Sequence, residues 1–490
     1  MDDQKNTLNS DPNIAPINGA PFYSKFVLTG PDRSKLGSGE VNELNFSKSS
    51  IVSLDLEENF FEPFIGASLT VNNPFDFVEN AVAIRGDGKE KMKVTLYNAS
   101  FTEEQRAAQG LPSIKDVQVD YTFVINDESN DVSKTDRSNN FKTFQLVDEN
   151  YHKLNEKIPY AKRYDGFVGD IIAKVLEEVL GPENEFGEPV VDRSRWSPGS
   201  HKIDKFPEFI IPPISFRYSD LIRYLLRIYF FTDGDLPVQG MLNFDRIKKQ
   251  FTLTPISQIF SANKDLAQEA FGVGDLISGE PSVDNPTGNM GPNENNPVGN
   301  TPVNEYQNQT RNTNLTTPML AYSNEYFTNY SISTTDQKTG IEHKELIAIK
   351  DIKERWKNIF VDTFRCVGGK PEAFLPLNQE KSDITKPFIL PFNSAVVRNL
   401  AIAQMVSNLT FYNLQLNLDN PGDTNRRPGK FIDVFKLENS DKKVDRKLLG
   451  RWFLTKVRHR FFKDSYQNVL QGVKAYVGPT SRITDTPAPL

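Results

Sequence analysis

Two well-separated stretches of the chain alternate apolar and polar residues at every second position, and between them the period lengthens to that of a helix. The runs at 51–56 and 91–97 have the strand period, 22–28 is a short apolar run, and 64–73, 117–126 and 142–147 complete the set of strands. They are divided by Gly30-Pro31, Asn72-Asn73-Pro74 and Gly86-Asp87-Gly88, which are turn signals. The period returns at 410–418, 430–435, 450–459 and 466–477. A chain patterned in this way must build its outer parts from antiparallel sheet.

The helical period is clearest from 165 to 180, where apolar residues fall at 167, 168, 171, 172, 175, 176, 179 and 180 and Gly181-Pro182 supplies the stop. A second helix is expected to open at Ser219-Asp220, with Leu221, Ile222, Leu225, Leu226 and Tyr229 on one side. Two short strand-like runs follow, at 240–244 and 250–255. The spacing of Leu346, Ile349, Ile352, Trp356 and Ile359 predicts a helix over 341–360. Ser394 caps a further one at about 394–408, carrying Val397, Leu400, Ala401, Gln404, Met405 and Leu409.

With 490 residues the chain needs several cores. Its 35 Phe favour strands and aromatic interiors. The reading is mainly β with an α+β insertion: two antiparallel β-barrel domains plus a small mixed domain. Residues 1–21 form a flexible arm, 22–148 the first barrel, and 149–236 the mixed insertion. Residues 237–262 and 395–478 together form the second barrel. Residues 263–394 are a further insertion containing a mobile Asn/Pro-rich loop at 281–318, where large apolar residues are almost absent. Residues 479–490 are a loose tail.

Known chemistries leave no mark. There is no Gly-x-Ser-x-Gly, P-loop, dinucleotide fingerprint or His-Glu-x-x-His. The single cysteine, Cys366, forbids an intrachain disulfide and reads as a small buried apolar residue. The four histidines, His152, His201, His343 and His459, are too scattered to suggest a metal pair. Carboxylate neighbours such as Glu57-Glu58 and Glu177-Glu178 read as solvated surface, and His459 as a satisfied surface or core histidine. No catalytic, cofactor-binding or metal-binding residue is expected. The polar start of the chain lacks a secretory pattern, and no apolar run reaches membrane-spanning length, so a soluble protein folded in a reducing cytoplasm is expected.

The C-terminal order of motifs is the most specific feature. A helix feeds a strand, then comes Arg427-Pro428-Gly429-Lys430 and a strand, then 449–459 with Val457-Arg458-His459, then a polar turn and the strand starting at Tyr466. This order resembles the second, tail-tube-like barrel of phage baseplate hub proteins and of VgrG-like spikes of type VI secretion. In those families the Pro-Gly sets a strand entrance and the Val-x-His strand pairs with the last strand. Pro428, Gly429, Val457 and His459 occupy those structural positions here. Residues 64–73 and 84–96 resemble the first hub barrel, and the helices near 166–180 and 219–231 resemble the domain inserted between the barrels. Residues 263–390 match no element of the family.

The resemblance implies a non-enzymatic homotrimeric ring in the virion tail baseplate. It would join a sixfold tail tube to a threefold central spike, contact surrounding baseplate wedge proteins, and leave a channel that DNA crosses without specific binding. Alternatives of the same construction are the hub or spike of a type VI-like or tailocin machine. The absence of spike repeats after the second barrel favours the phage hub. A tail-associated cell-wall hydrolase would need a catalytic pair that the sequence does not display. Residues 395–490 hold 16 Lys and Arg against 8 Asp and Glu, a net of +8 against −15 for the remainder. That asymmetry suggests a basic second barrel facing the acidic first barrel of the next subunit.

Overall fold

A computed structural model describes residues 14–17, 20–30, 43–74, 77–78, 90–98, 102–108, 113–131, 140–159, 162–203, 210–212, 215–234, 236–263, 270, 303–304, 313–316, 329–335, 342–348, 394–411, 414–424, 426–435, 450–462 and 465–474. Cys366, Gly86-Asp87-Gly88 and the tail 479–490 lie outside them.

The N-terminal strands are β1 (Ile14–Ile17), β2 (Ala20–Thr29), β3 (Glu43–Phe46), β4 (Ile51–Asn59), β5 (Glu62–Asn72), β6 (Lys91–Asn98), β7 (Val119–Asp131) and β8 (Phe141–Asp148), with short helices α1 (Glu103–Ala108) and α2 (Ile114–Val117) between β6 and β7. Their ladder runs β1-β2-β6-β7-β8-β5-β4, antiparallel throughout, with β3 added to β2. The alternation read from sequence places one set of side chains on a common core, which includes Leu28, Leu56, Leu69, Val94, Phe123 and Phe144. Part of the expected flexible arm is strand: Ile14–Ile17 pairs with the start of β2.

A mixed unit follows. It contains α3 (Glu149–Glu156), β9 (Gly166–Phe167), α4 (Val168–Leu180), β10 (Val191–Trp196), β11 (Lys202–Ile203), α5 (Tyr218–Ile228), β12 (Phe231–Asp233), β13 (Leu236–Val238), β14 (Gly240–Asp245), β15 (Gln250–Pro255) and α6 (Ile256–Ser261). Ile171, Ile172, Val175 and Leu176 of α4 meet Leu221, Ile222 and Leu225 of α5 in one core, as their spacing requires. Helix α5 starts at Tyr218 rather than being capped by Ser219. The Asp220 carboxylate accepts from the Arg217 backbone N–H at 3.1 Å, and Ser219 instead donates its hydroxyl to Asn155.

Residues 237–262 were expected to share a barrel with 395–478, but strands β14 and β15 do not pair with the C-terminal strands. They form a three-stranded sheet with β10 and bury Leu242, Phe251 and Leu253 in the core of the mixed unit. The reason is local: their antiparallel hairpin offers an edge to β10, with Val191 opposite Phe251.

The C-terminal part comprises β16 (Val303–Asn304), β17 (Thr313–Thr316), β18 (Asn329–Thr335), β19 (Glu342–Ala348), α7 (Ser394–Phe411), β20 (Leu414–Pro421), β21 (Phe431–Phe435), β22 (Gly450–Phe462) and β23 (Ser465–Lys474). Two strands arise inside the Asn/Pro-rich run, where β16 pairs with β21 and β17 with β20. Over 342–348 the expected helix is replaced by strand β19, paired antiparallel to β18; residues 349–360 lie outside the described set.

The two strand groups meet edge to edge. Strand β22 pairs antiparallel with β4, so a single fourteen-stranded sheet runs β1-β2-β6-β7-β8-β5-β4-β22-β23-β20-β17, with β3, β16 and β21 as side branches. Among the described residues neither group closes on itself, so the fold is mainly antiparallel β, without the two closed barrels expected. The second group has its own core of Leu414, Leu416, Leu418, Ile432, Trp452, Leu454 and Leu470. On the other side of β22 the ring of Phe453 lies 5.0 Å from Phe60, 5.3 Å from Phe260 and 5.1 Å from Phe431, measured between centroids. That aromatic cluster ties the β4–β5 turn, α6 and β21 together.

Candidate functional site

The seam between β4 and β22 has two chemically distinct faces, set by the period of two. In the ladder Val457 is opposite Glu58, His459 opposite Leu56 and Phe461 opposite Leu54. All six side chains are buried. The intervening residues point the other way and carry charge. Lys456 reaches Glu57 at 2.6 Å, Arg458 makes a two-pronged ion pair with Asp55, and Arg460 lies 3.6 Å from Asp55. Part of the charge asymmetry between the acidic and basic parts is therefore matched within one chain.

The buried face holds a polar network. His459 and Tyr466 sit on neighbouring strands with parallel rings, and the Tyr466 hydroxyl is 2.7 Å from His459 Nδ1. Asn468, directly opposite His459 in the β22–β23 ladder, brings its amide nitrogen to 3.0 Å from the same Nδ1. The Asn468 carbonyl oxygen is already engaged, accepting from Asp423 N–H at 2.6 Å and from Arg426 Nη1 at 3.2 Å. The orientation of Asn468 is thereby fixed. The Asn468 NH2 is aimed at Nδ1 and the Tyr466 hydroxyl can donate there as well, which assigns the proton of the neutral imidazole to Nε2, a nitrogen buried without a hydrogen-bond partner among the described residues. Burial holds the His459 pKa below its ordinary value, with Glu58 and Asp423 opposing that shift and Arg427 and Arg426 adding to it. Burial likewise drives the Tyr466 hydroxyl upward, out of any physiological range.

Glu58 was expected at the surface beside Glu57. Adjacent residues of a strand face opposite ways, and here Glu58 takes the core side, accepting a hydrogen bond from the Tyr121 hydroxyl at 2.7 Å. Burial and the Glu58 charge raise the Tyr121 pKa well above its ordinary value.

The loop between β20 and β21 closes over this network. Gly422 N–H donates to Tyr466 O at 2.9 Å, Gly429 N–H to Leu454 O at 2.8 Å, and Leu454 N–H to Lys430 O at 2.8 Å. Pro428 and Gly429 form the turn into β21, with Gly429 at φ +83°. At Gly422 the Tyr466 ring lies where a Cβ would stand, 1.8 Å from its ideal position. Of the four positions singled out in the sequence, Val457 and His459 lie side by side on the buried face, and Pro428 and Gly429 lie in the covering loop. Tyr466, Asn468, Gly422 and Arg426 join them in the network without having been singled out in the sequence, and Glu58 joins it against its expected place at the surface. Tyr466 and Asn468 share the alternation of His459 across a hairpin and were legible there.

Among the described residues no group of three or more His, Cys, Asp or Glu is placed to hold a metal ion, and no helix is long and apolar enough to cross a membrane. His152 pairs with Glu156 at 3.2 Å on α3, and His201 is buried, with Nδ1 2.9 Å from Ile228 O. His343 lies on β19.

No protein-family model and no curated protein sequence matches the chain. Solved structures do resemble it. The tail protein from Neisseria meningitidis MC58 is 11% identical, with a TM-score of 0.44, over 92% of this chain and 96% of that one. The 43 kDa tail protein of prophage MuSo2 from Shewanella oneidensis is 9% identical, with a TM-score of 0.43, over 92% and 98%. A chain of the lidded Francisella PdpA-VgrG complex is 10% identical, with a TM-score of 0.45; 97% of this chain covers 55% of that one. The structural neighbours are phage tail proteins and VgrG complexes.

Proposed function

We propose that this chain is a structural hub of a contractile phage tail baseplate and acts without catalysis. Three copies form a ring in the virion tail. The ring joins a sixfold tail tube to a threefold central spike, contacts the surrounding wedge proteins, and leaves a channel for DNA. The observation that carries this reading is the β4–β22 seam. It fixes two antiparallel strand groups side by side in one chain: the second has a core of its own, and the first group's core also takes in Phe461 and Tyr466 from β22 and β23. Two such units per chain give six around a threefold axis, the arithmetic a symmetry adapter needs. In this reading the two groups act as the barrel-like units of the ring and the mixed unit is an insertion between them. The order of Pro428-Gly429, Val457-x-His459 and the last strand adds support through its resemblance to hub proteins.

The test is the native mass of the purified chain, alone and mixed with the spike and tube proteins of the same particle, followed by imaging of the assembled tail. Three copies per particle around the tail axis are expected, even if the isolated chain is monomeric. Any other copy number at that position would overturn the reading. A turbidity assay on cell walls should show no clearing.

A further inference from the structure

The His459 network is built around a neutral imidazole. Asn468 cannot turn its carbonyl toward His459, because that oxygen holds Asp423 N–H and Arg426 Nη1. Its NH2 group must face Nδ1. A proton placed on Nδ1 would set N–H against N–H at 3.0 Å inside a closed core. The Tyr466 hydroxyl could rotate to accept, but Asn468 could not. We propose that His459 is an acid-sensitive latch: its protonation parts β22 from β4 and β23 and loosens the join between the two strand groups.

The groups facing the ring are Tyr466 and Asn468 from β23, Glu58 from β4 with Tyr121 of β7 behind it, and Asp423, Arg426 and Arg427 from the covering loop. The two carboxylates favour an imidazolium and the two guanidiniums oppose it, so the outcome is decided by burial and by the donors already aimed at Nδ1. The lowered pKa agrees with this geometry. The sign follows. The open seam binds a proton near the ordinary histidine value and the closed seam binds it only at lower pH, so closure is complete above about pH 6.5 and weakens as pH falls below it. The inference stands independently of the proposed function.

Hydrogen exchange of the full chain between pH 7.5 and 5.0, corrected for intrinsic rates, tests it. Amides of β22 and of the first half of β23 should lose protection by about tenfold per pH unit below about pH 6.5. Those of β6 and β7 should keep theirs. His201 is also buried, but in the mixed unit, so amides of α4 and β11 serve as a separate control. His459→Asn places an oxygen where Nδ1 stands and cannot titrate; its seam protection should not change with pH over this range. Equal loss of protection in H459N, or pH-independent protection in the wild type, would overturn the proposal. Should H459N not fold, histidine ring NMR of the wild type decides. An imidazolium signal from His459 while the seam amides remain protected would also overturn it.

Discussion

Asp148 and Arg246 form a buried ion pair across two parts of the fold: Arg246 Nη1 donates to Asp148 Oδ2 at 2.6 Å. The other carboxylate oxygen accepts from Asn150 and Tyr151 N–H and so caps α3. Arg246 also donates to Pro63 O at 2.7 Å. One carboxylate thus ends β8, starts a helix and anchors the β14–β15 hairpin against the first strand group. Asp148→Ala is expected to cost about 3–5 kcal/mol, because it leaves a buried guanidinium without its counter-charge. Urea denaturation measures this. The double variant Asp148→Ala, Arg246→Met should recover much of the loss; a single-variant cost below about 1 kcal/mol would contradict the assignment.

Two glycines of the covering loop should respond differently to alanine. At Gly429 the positive φ and a Phe60 ring carbon 3.3 Å from the ideal Cβ make Gly429→Ala cost about 1–2 kcal/mol. At Gly422 the obstacle is the Tyr466 ring, which stacks on Phe461 at 4.3 Å and bonds His459. Gly422→Ala should therefore cost about 3 kcal/mol or more, as an overpacked core does. Thermal melts of the two variants give the order directly.

The ion pairs on the outer face of the seam should matter little to stability. Asp55 and Arg458 are partly exposed, so a double-mutant cycle between them is expected to give less than about 1 kcal/mol. Salt near 1 M should diminish even that, because the screening length shrinks to about 3 Å. A coupling that persists in high salt would show that the pair is shielded from solvent.

Glu149 provides an acid-side prediction. Burial would raise its pKa, but hydrogen bonds from Lys91 and Lys153 outweigh burial and hold it below the ordinary 4.5. Its folded value is therefore the lower one. The stabilisation is present above the unfolded value and is lost as pH falls through the folded one. Lys91→Met should lower stability at pH 7 by more than it does near pH 3. Urea midpoints at the two pH values check this; equal losses at both would rule it out.

Core burial in the aromatic cluster around Phe453 predicts that Phe453→Ala costs about 3–5 kcal/mol. Near-wild-type stability in a chemical denaturation series would show that the cluster repacks.

The period of most elements is written in the order of their residues. Alternation placed β4, β5, β22 and β23 as strands, and the spacings of three and four placed α4, α5 and α7. These signals are local, because side-chain direction repeats every two or 3.6 residues whatever the partner. Where the local signal was mixed it misled: helical spacing around Leu346 lost to backbone pairing with β18. Partner choice was not legible. Asp55 and Arg458 lie 403 residues apart in the chain, and β14–β15 could equally have served either neighbouring sheet. Nor could adjacent Glu57 and Glu58 reveal which one faces the core until the register with Val457 and His459 fixed it. The tertiary structure decided these points, because strand pairing joins residues with no proximity in sequence, and the environment of a polar side chain is set by the strand that pairs beside it.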